Sequence, residues 1–575
     1  MKINIAKLTI SISLYFAFAC TSFAQSTDSK NFSHIVKVGE TLYSIARTYG
    51  VSTESILSIN PGVSELIMTG QKLLIPISSS GSIYHTIKKG ETLFFITNKY
   101  NITAQSLCDA NPGLSTDNFK AGEVIIIPKA KNDDEVNIAA PKKKTGCKLT
   151  YEVKKKETLY SIARKFNVTE ESIIALNPSI KKGKIKKKQL LCIPYSENET
   201  EPEPKMEEIM EQLEPASKTY PTVKVAVILP FRLSEQEKTA ESIKMIDFYE
   251  GMLLAIDSLK GMGISTDIYT YDESATKTTS INELLSQPMV RHANIIVGPI
   301  QEKHIETVAK FAEENDIYHV IPFTSIESAT DNMHNMFQIN SPNEFIYNKV
   351  YSHFINENNE ANVIFVETEE DEERKYFISD FQKILTARSV TWQRINLDDI
   401  GTIETILRKN GKNIIIPTNS NQLTFESIVA RLNANDTLAT YSISLFGYPE
   451  WQAFSQRNAK NLAKYECTFF TTFYAEQNSE RIFSFNTKFN KWFKREQYNS
   501  YPRYGLFGFD IAHYFIKGVH QYGNKLSQNC DRVDFKYIQT PICFERKNNW
   551  SGFINNSLMF ITYKTDGTTT INNFK

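Results

Sequence analysis

The apolar and polar positions of the chain fall into two regimes. Between residues 34 and 194 one pattern occurs three times. Each copy opens on an alternating stretch, His34-Ile35-Val36, His85-Thr86-Ile87 or Tyr151-Glu152-Val153, that reads as a strand. A threonine (Thr41, Thr92, Thr158) follows where an N-cap hydroxyl would take an orphan backbone N–H. The helix it opens ends at Gly50, Asn101 or Asn167, residue types that tolerate the left-handed C′ position. A second cap (Thr53, Thr103, Thr169) begins another helix, which stops at Asn60-Pro61, Asn111-Pro112 or Asn177-Pro178 because the residue before proline disfavours helix. Leu74-Ile75-Pro76, Ile126-Ile127-Pro128 and Cys192-Ile193-Pro194 close each copy as strands able to pair with the first. Three βααβ units are predicted, at 34–77, 84–128 and 150–194.

Beyond 222 the regime changes. Apolar strands at 223–230, 267–271, 294–299, 318–323, 362–366, 413–417 and 442–446 alternate with helices, among them 243–259, 343–356 and 374–385. Strands this apolar imply parallel sheets covered on both faces, and 222–575 is long enough for two such lobes. The stretch 195–221 is acidic and carries Pro202, Pro204 and Pro215, so it reads as a spacer with one short helix at 206–213. Serine-rich 78–82 and polar 129–144 read as flexible joints.

The first residues change the picture of where this chain works. Met1, Lys2 and Lys7, an apolar stretch at 8–18, and Ser22-Phe23-Ala24 before Gln25 spell a secretory signal peptide, 1–24. The stretch is shorter than the roughly 20 residues a membrane span needs. Cys20 carries a second reading, cleavage ahead of it and lipidation, although Ala17-Phe18-Ala19 lacks the usual leucine. Either way the expected location is the periplasm or cell envelope, where disulfides form. Cys147 and Cys192 frame the third copy and are one candidate pair; Cys530 and Cys543 are another. Cys108 and Cys467 sit in apolar patterns and read as core.

Lys and Arg together number 65, as do Asp and Glu, and zero net charge argues against nucleic acid as the partner. No Cys/His spacing suggests a metal, and no His-Glu-x-x-His, Gly-x-Ser-x-Gly, P-loop or calcium loop appears, so neither cofactor nor catalytic residue is predicted. The acidic run Glu369-Glu370-Asp371-Glu372-Glu373 reads as a helix start whose charge suits the dipole.

The repeat resembles the lysin motif, or LysM, family: Gly-Glu-Thr-Leu-x-x-Ile-Ala, then Asn-Pro, then an apolar strand ending in proline. The resemblance implies binding of N-acetylglucosamine polymers, peptidoglycan in bacteria, in a shallow groove between the loop entering the first helix and the loop before the last strand. Carried over, the groove residues are Gly39, Glu40, Thr41 and Leu42 with 63–70, and Gly90, Glu91, Thr92 and Leu93 with 114–122, Leu42 or Tyr43 offering an apolar surface to a sugar face. The third copy supplies Glu157, Thr158 and Leu159, but Lys156 replaces the turn glycine and 181–188 is mostly lysine, so its grip on glycan is expected to be weaker.

The C-terminal region resembles type I periplasmic binding proteins, the fold of branched-chain amino-acid receptors, through Gly251-Met252-x-x-Ala255-Ile256-Asp257, Ile296-Val297-Gly298-Pro299 and the segment from Tyr501 to Asp510. The fold class expected is thus multidomain, α+β and α/β: three small βααβ domains, then a two-lobed α/β domain. Ligands of doubly wound lobes sit at the carboxyl ends of strands, which here supply Phe231, Pro299, Thr324, Ser325, Glu367 and Tyr448. Ile300-Gln301 stand where the family holds small hydroxyl residues, a departure that weighs against an amino-acid ligand. The function implied is non-enzymatic: a peptidoglycan-binding envelope protein whose C-terminal domain recognises a small molecule or an envelope protein, in one version controlling wall synthesis, as outer-membrane activators of peptidoglycan synthases carry a domain of this fold. The alternative is the substrate-binding component of an amino-acid-type ABC transport system.

Overall fold

The computed structural model describes residues 31–574 apart from 38–39, 65–66, 69, 78–82, 130–145, 182, 197–204, 214–216, 275–279, 327–328, 369–370 and 477–478. The expected leader 1–24 with Cys20, Gly39 of the expected first groove and most of both joints lie outside the described residues.

Each repeat folds from its own local signals. β1 (Asn31–Ile35) pairs antiparallel with β2 (Lys72–Pro76), β3 (Ile83–Thr86) with β4 (Val124–Ile127), and β5 (Cys147–Glu152) with β6 (Leu190–Pro194). Two helices bridge each pair: Leu42–Thr48 and Thr53–Ile59, Leu93–Tyr100 and Ala104–Ala110, Leu159–Phe166 and Glu170–Leu176. Gly50, Asn101 and Asn167 hold φ of 64°, 52° and 54°, the left-handed stop the sequence predicts. Thr103 and Thr169 cap the second helices, but in the first repeat the cap is Ser52, whose hydroxyl accepts the Ser55 N–H at 3.1 Å, and Thr53 is the first helical residue.

The asparagine of each Asn-Pro has a larger role than ending a helix. Asn60, Asn111 and Asn177 are buried. The amide of each donates to a carbonyl one turn back and to the closing strand (Leu74, Ile126 or Cys192), while its oxygen accepts that residue's N–H at 2.8 Å. One side chain thereby staples the second helix to the sheet.

A disulfide joins Cys147 to Cys192, with Cα atoms 5.3 Å apart. Cys530 and Cys543 are not joined. Cys530 sits in a short 3₁₀ turn that aims its Sγ back at the Leu526 carbonyl, 3.2 Å away, and both remain thiols. Cys467 is fully buried in the core, whereas Cys108 is half-buried, its Sγ 3.7 Å from the Met210 sulfur. Met210 belongs to the spacer helix Met206–Leu213, which lays Met206 and Ile209 on the second repeat's core.

From β7 onward the chain builds two seven-stranded sheets. The first takes β7 (Thr222–Leu229), β8 (Ser265–Asp272), β9 (Ile295–Val297), β10 (Tyr318–Ile321), β11 (Met336–Gln338), β17 (Phe544–Arg546) and β18 (Phe553–Asn555), in the order β17-β18-β11-β10-β9-β7-β8. The second takes β12 (Asn362–Glu367), β13 (Trp392–Asn396), β14 (Lys412–Pro417), β15 (Ser442–Gly447), β16 (Thr468–Thr471), β19 (Leu558–Tyr563) and β20 (Thr569–Phe574), in the order β13-β12-β14-β15-β16-β19-β20. Within each lobe the first five strands run parallel in the doubly wound order 2-1-3-4-5. The chain passes between the lobes three times, after β11, after β16 and between β18 and β19. This is the two-lobed α/β architecture the sequence implied.

Helices Ala240–Gly261 and Tyr504–Tyr522 cross on the first lobe with their backbones in contact. A Cβ on Gly251 would lie 1.9 Å from the Gly505 carbonyl oxygen, and one on Gly508 1.9 Å from that of Phe248. Buried Asp510 accepts the N–H groups of Ile538, Gln539 and Thr540, each at 2.8 Å, and so fixes a distant loop to the second of these helices.

Candidate functional site

The loop that enters the first helix of each repeat is held from inside. Glu40 accepts the Lys37 N–H at 2.6 Å and bonds the His34 Nε2 at 2.7 Å, and the His34 Nδ1 meets the Tyr49 hydroxyl at 2.8 Å. The second repeat copies this with Glu91, the Lys88 N–H at 2.9 Å, His85 at 2.7 Å and Tyr100 at 3.0 Å. In the third, Glu157 accepts the Lys154 N–H at 2.7 Å and the Tyr151 hydroxyl at 2.8 Å, and Lys165 donates to that same hydroxyl at 2.9 Å. Burial alone would raise the Glu91 pKa, but the bonds from the Lys88 N–H and His85 outweigh it and hold the carboxyl below its ordinary value. Burial lowers His85 against the pull of Glu91.

Thr41, Thr92 and Thr158 are N-caps, accepting the N–H three residues on at 3.0, 3.0 and 3.2 Å. Leu42, Leu93 and Leu159 are 3%, 1% and 4% exposed, so the structure places all three in the module cores rather than on a sugar-facing surface. The exposed apolar face beside this loop belongs to Tyr43 (57%), Phe95 (47%) and Tyr160 (63%). The turn itself is kept at positive φ by Gly90 (89°) in the second repeat and by Lys156 (72°) in the third. The opposite loop shows the same exchange: Gly70 (84°) and Gly122 (98°) against Lys188 (64°).

At the strand ends of the first lobe, two consecutive acids from the end of β8 take up the main-chain donors. Asp272 accepts the N–H groups of Phe231 at 3.0 Å, Arg232 at 3.2 Å and Leu233 at 2.9 Å. Fully buried Glu273 accepts those of Ile300 and Gln301, both at 3.0 Å, and bonds the His304 Nδ1 at 2.9 Å. Thr324 spends its hydroxyl on the Ile300 carbonyl at 3.1 Å, and Ser325 is exposed. Phe231 and Pro299 are buried and face the core. A cavity of about 540 Å³ remains above them, lined by Arg232, Met245, Lys303, Phe323 and Tyr504 among others.

Two of the cleft positions expected in the second lobe are otherwise engaged. Tyr448 is fully buried, donates to the Pro417 carbonyl and packs edge-on against Phe377 and Phe470, while Glu367 pairs with Arg394 at 2.6 Å. The larger opening is elsewhere: a cavity of about 900 Å³ between the second lobe and the helix Tyr504–Tyr522, with Tyr474, Asn486, Gln497, Tyr501, Arg503 and Gln539 in its lining. Glu476 and Glu496 line it too, so amides, aromatic rings, one cation and two carboxylates face the space, a lining that suits a hydroxyl- and amide-bearing ligand. The sequence reading did not name these as ligand residues, because the lining comes from four separated stretches, 452–459, 474–506, 539 and 563–569, that only the lobe packing brings together.

The model of the LysM domain matches residues 34–76, 85–128 and 151–194. The chain carries three LysM domains. Similar to its LysM region are the N-acetylmuramoyl-L-alanine amidase sle1 of Staphylococcus epidermidis (31% identical over 167 residues, 28% of this chain and 50% of the relative) and the autolysin of Enterococcus faecalis (31% over 167 residues, 26% of this chain and 22% of the relative). The sporulation-specific glycosylase YdhD of Bacillus subtilis, so named provisionally, is 39% identical over 102 residues, 18% of this chain and 23% of that protein. The chain spans about half the length of the amidase relatives it matches. Among solved structures, ABC transporter substrate-binding proteins of Desulfitobacterium hafniense (TM-score 0.38, 14% identity) and Sphaerobacter thermophilus (TM-score 0.39, 11% identity) each align with 61% of this chain, covering 100% and 98% of their own.

Within each LysM domain the glutamate and threonine of the entry loop are thus consumed in shaping it, and Tyr43, Phe95 and Tyr160 stand exposed. Among the described residues no cluster of His, Cys, Asp and Glu is arranged to hold a metal, and no helix is long and apolar enough to cross a membrane.

Proposed function

We propose that this protein is an exported, non-catalytic component of the cell envelope that holds peptidoglycan glycan through its LysM grooves and presents its two-lobed domain to a ligand or an envelope partner. The observation that carries the reading is the threefold recurrence of one internally pinned loop with an exposed aromatic beside it, in domains whose relatives include wall amidases. The amidase name does not come with the match, since the similarity lies in the LysM region. Groove residues in this reading are Glu40, Thr41, Glu91, Thr92, Glu157 and Thr158 as builders of the loop, Gly39 and Gly90 at its turn, and Tyr43, Phe95 and Tyr160 against the sugar faces. Weak single domains on a repeating polymer gain avidity, because each further engagement is effectively intramolecular.

For the C-terminal domain we favour a hydroxyl- and amide-bearing ligand such as a muropeptide fragment, held in the 900 Å³ cavity, where Arg503 would meet a stem carboxylate. Solute reception for an ABC permease fits less well: at the first-lobe strand ends Asp272 and Glu273 already fill the donors that a ligand carboxylate would need. The full chain should sediment with purified sacculi and be released by excess chitotetraose. Failure to sediment would sink the wall-binding reading. A thermal shift with amino acids but with no muropeptide would replace the muropeptide ligand with a transported solute.

A further inference from the structure

The loop joining β17 to β18 on the first lobe is inserted between the first two LysM domains. Asn548 shapes it, its Oδ1 accepting the N–H groups of Trp550 at 3.0 Å and Ser551 at 2.8 Å. Trp550 is 6% exposed and stands among Phe32, Val36 and Tyr49 of the first domain and Val124 of the second. Its ring centroid lies 6.4 Å from that of Tyr49 and 5.7 Å from that of Tyr84. Asp331 of the same lobe adds ion pairs to Arg47 at 3.7 Å and Lys547 at 3.5 Å. The two LysM domains also hold each other, through Lys37 to Glu123 at 2.8 Å and the Thr86 hydroxyl on the Ser33 carbonyl at 2.5 Å.

Asn549 makes the contact with functional weight. Its carbonyl accepts the Gly113 N–H at 2.6 Å, its Oδ1 accepts the Asn118 amide at 3.1 Å, and its Nδ2 donates to the Val124 carbonyl at 3.3 Å. The fit is tight: a Cβ on Gly113 would come within 2.8 Å of the Arg546 Cδ and 2.9 Å of the Asn549 oxygen. Gly113 leads into the loop 114–122, and Asn118 lies within it. That loop is one wall of the second LysM groove. A peptide carbonyl and a primary amide therefore occupy donors of the kind that the acetamide of N-acetylglucosamine needs, and they are supplied by the chain itself.

We infer that the loop 547–552 is an intramolecular competitor of glycan at the second LysM domain, so that wall binding and release of the first lobe from the LysM pair are one event. The inference rests on the reading of these grooves as glycan sites. Its consequence is reciprocal: whatever holds the lobe docked lowers affinity for the wall, and the wall in turn favours the undocked lobe. The affinity of a site available only part of the time falls by that fraction.

The test compares the full chain with Trp550→Ala and Asn549→Ala. Sedimentation with purified sacculi is read first, then hydrogen exchange of 113–118 and 547–552 as chitotetraose is added. Both variants are expected to bind sacculi about fivefold to tenfold more tightly. In the unaltered chain chitotetraose should slow exchange at 113–118 and speed it at 547–552. Equal binding by all three proteins, or protection of 113–118 with 547–552 unchanged, overturns the competition and leaves wall binding standing. If none of the three sediments, the wall reading falls and the competition with it. Asn549→Ala keeps Trp550 in place, so the answer does not depend on how well the first lobe tolerates loss of that ring.

Discussion

The first two LysM domains tie their entry loop down with a histidine that bridges a glutamate and a tyrosine. The third has Tyr151 at the histidine position and brings Lys165 where the others use Tyr49 and Tyr100. It also places Lys156 and Lys188 at positive φ where its neighbours have Gly90, Gly70 and Gly122, and it carries the disulfide. What stays the same is the glutamate on its main-chain N–H, the threonine cap and the buried asparagine. Loop geometry is therefore carried by a few hydrogen bonds at fixed spacing, and the partners around them are interchangeable. The difference also marks location in the molecule: the first two domains share Trp550 in their packing, while the third closes its core with its own residues.

The disulfide should give the sharpest separation. Replacing Cys147 and Cys192 by serine is expected to destabilise the third domain by about 4 kcal/mol, from the loop of some 45 residues it closes, and to leave the others unchanged in domain-resolved hydrogen exchange. Next comes the asparagine staple, where the domains should behave alike. Asn60→Ala, Asn111→Ala and Asn177→Ala each remove three hydrogen bonds and strand a buried carbonyl, for about 3 kcal/mol in the same assay. Unequal losses would mean that the staple is not the shared element it looks to be.

Lys156→Gly should stabilise the third domain by about 1 kcal/mol by relieving a left-handed backbone, an effect with no counterpart at Gly90. The smallest expected difference is in pH response. His85 is held below its ordinary 6.5, so the unfolded second domain binds more protons, and stability falls as pH drops from 6.5 through the lower folded value. Glu157 is held below its ordinary 4.5, chiefly by the Lys154 N–H, and Glu91 is also lowered. Their stabilisation is complete above 4.5 and lost as pH falls through the folded values. The second domain should weaken as pH falls below 6.5, while the third holds until below pH 4.5.

Much of the fold was legible because it is encoded locally. The Thr41, Thr92 and Thr158 caps, the left-handed stops and the spacer helix Met206–Leu213 all stand where the residues placed them. Seven strands of the two-lobed domain, β7 to β10, β12, β14 and β15, announced themselves in the sequence. β11, β13 and β16 to β20 did not, because they are short or half polar and take their strand character from the neighbour they pair with. The first copy's second cap slipped by one residue because Ser52 and Thr53 are chemically equivalent as N-caps, and only the backbone entry angle decides between them. Among site residues, the strand-end rule could not say which way a side chain turns: Tyr448 and Phe231 are buried in cores, and none of the named positions lines either cavity.

By itself, then, the sequence determined three βααβ units and a doubly wound two-lobed domain, since periodicity, caps and spacing act over a few residues or within one repeat; of its two candidate cysteine pairs, the structure joins only Cys147 with Cys192. Only the tertiary structure decided the rest. Asp272 and Glu273 against the first-lobe turns, the amide-lined cavity between lobe and helix, and Asn549 on Gly113 join residues from about 30 to more than 400 positions apart, and such contacts leave no periodic signal in the chain.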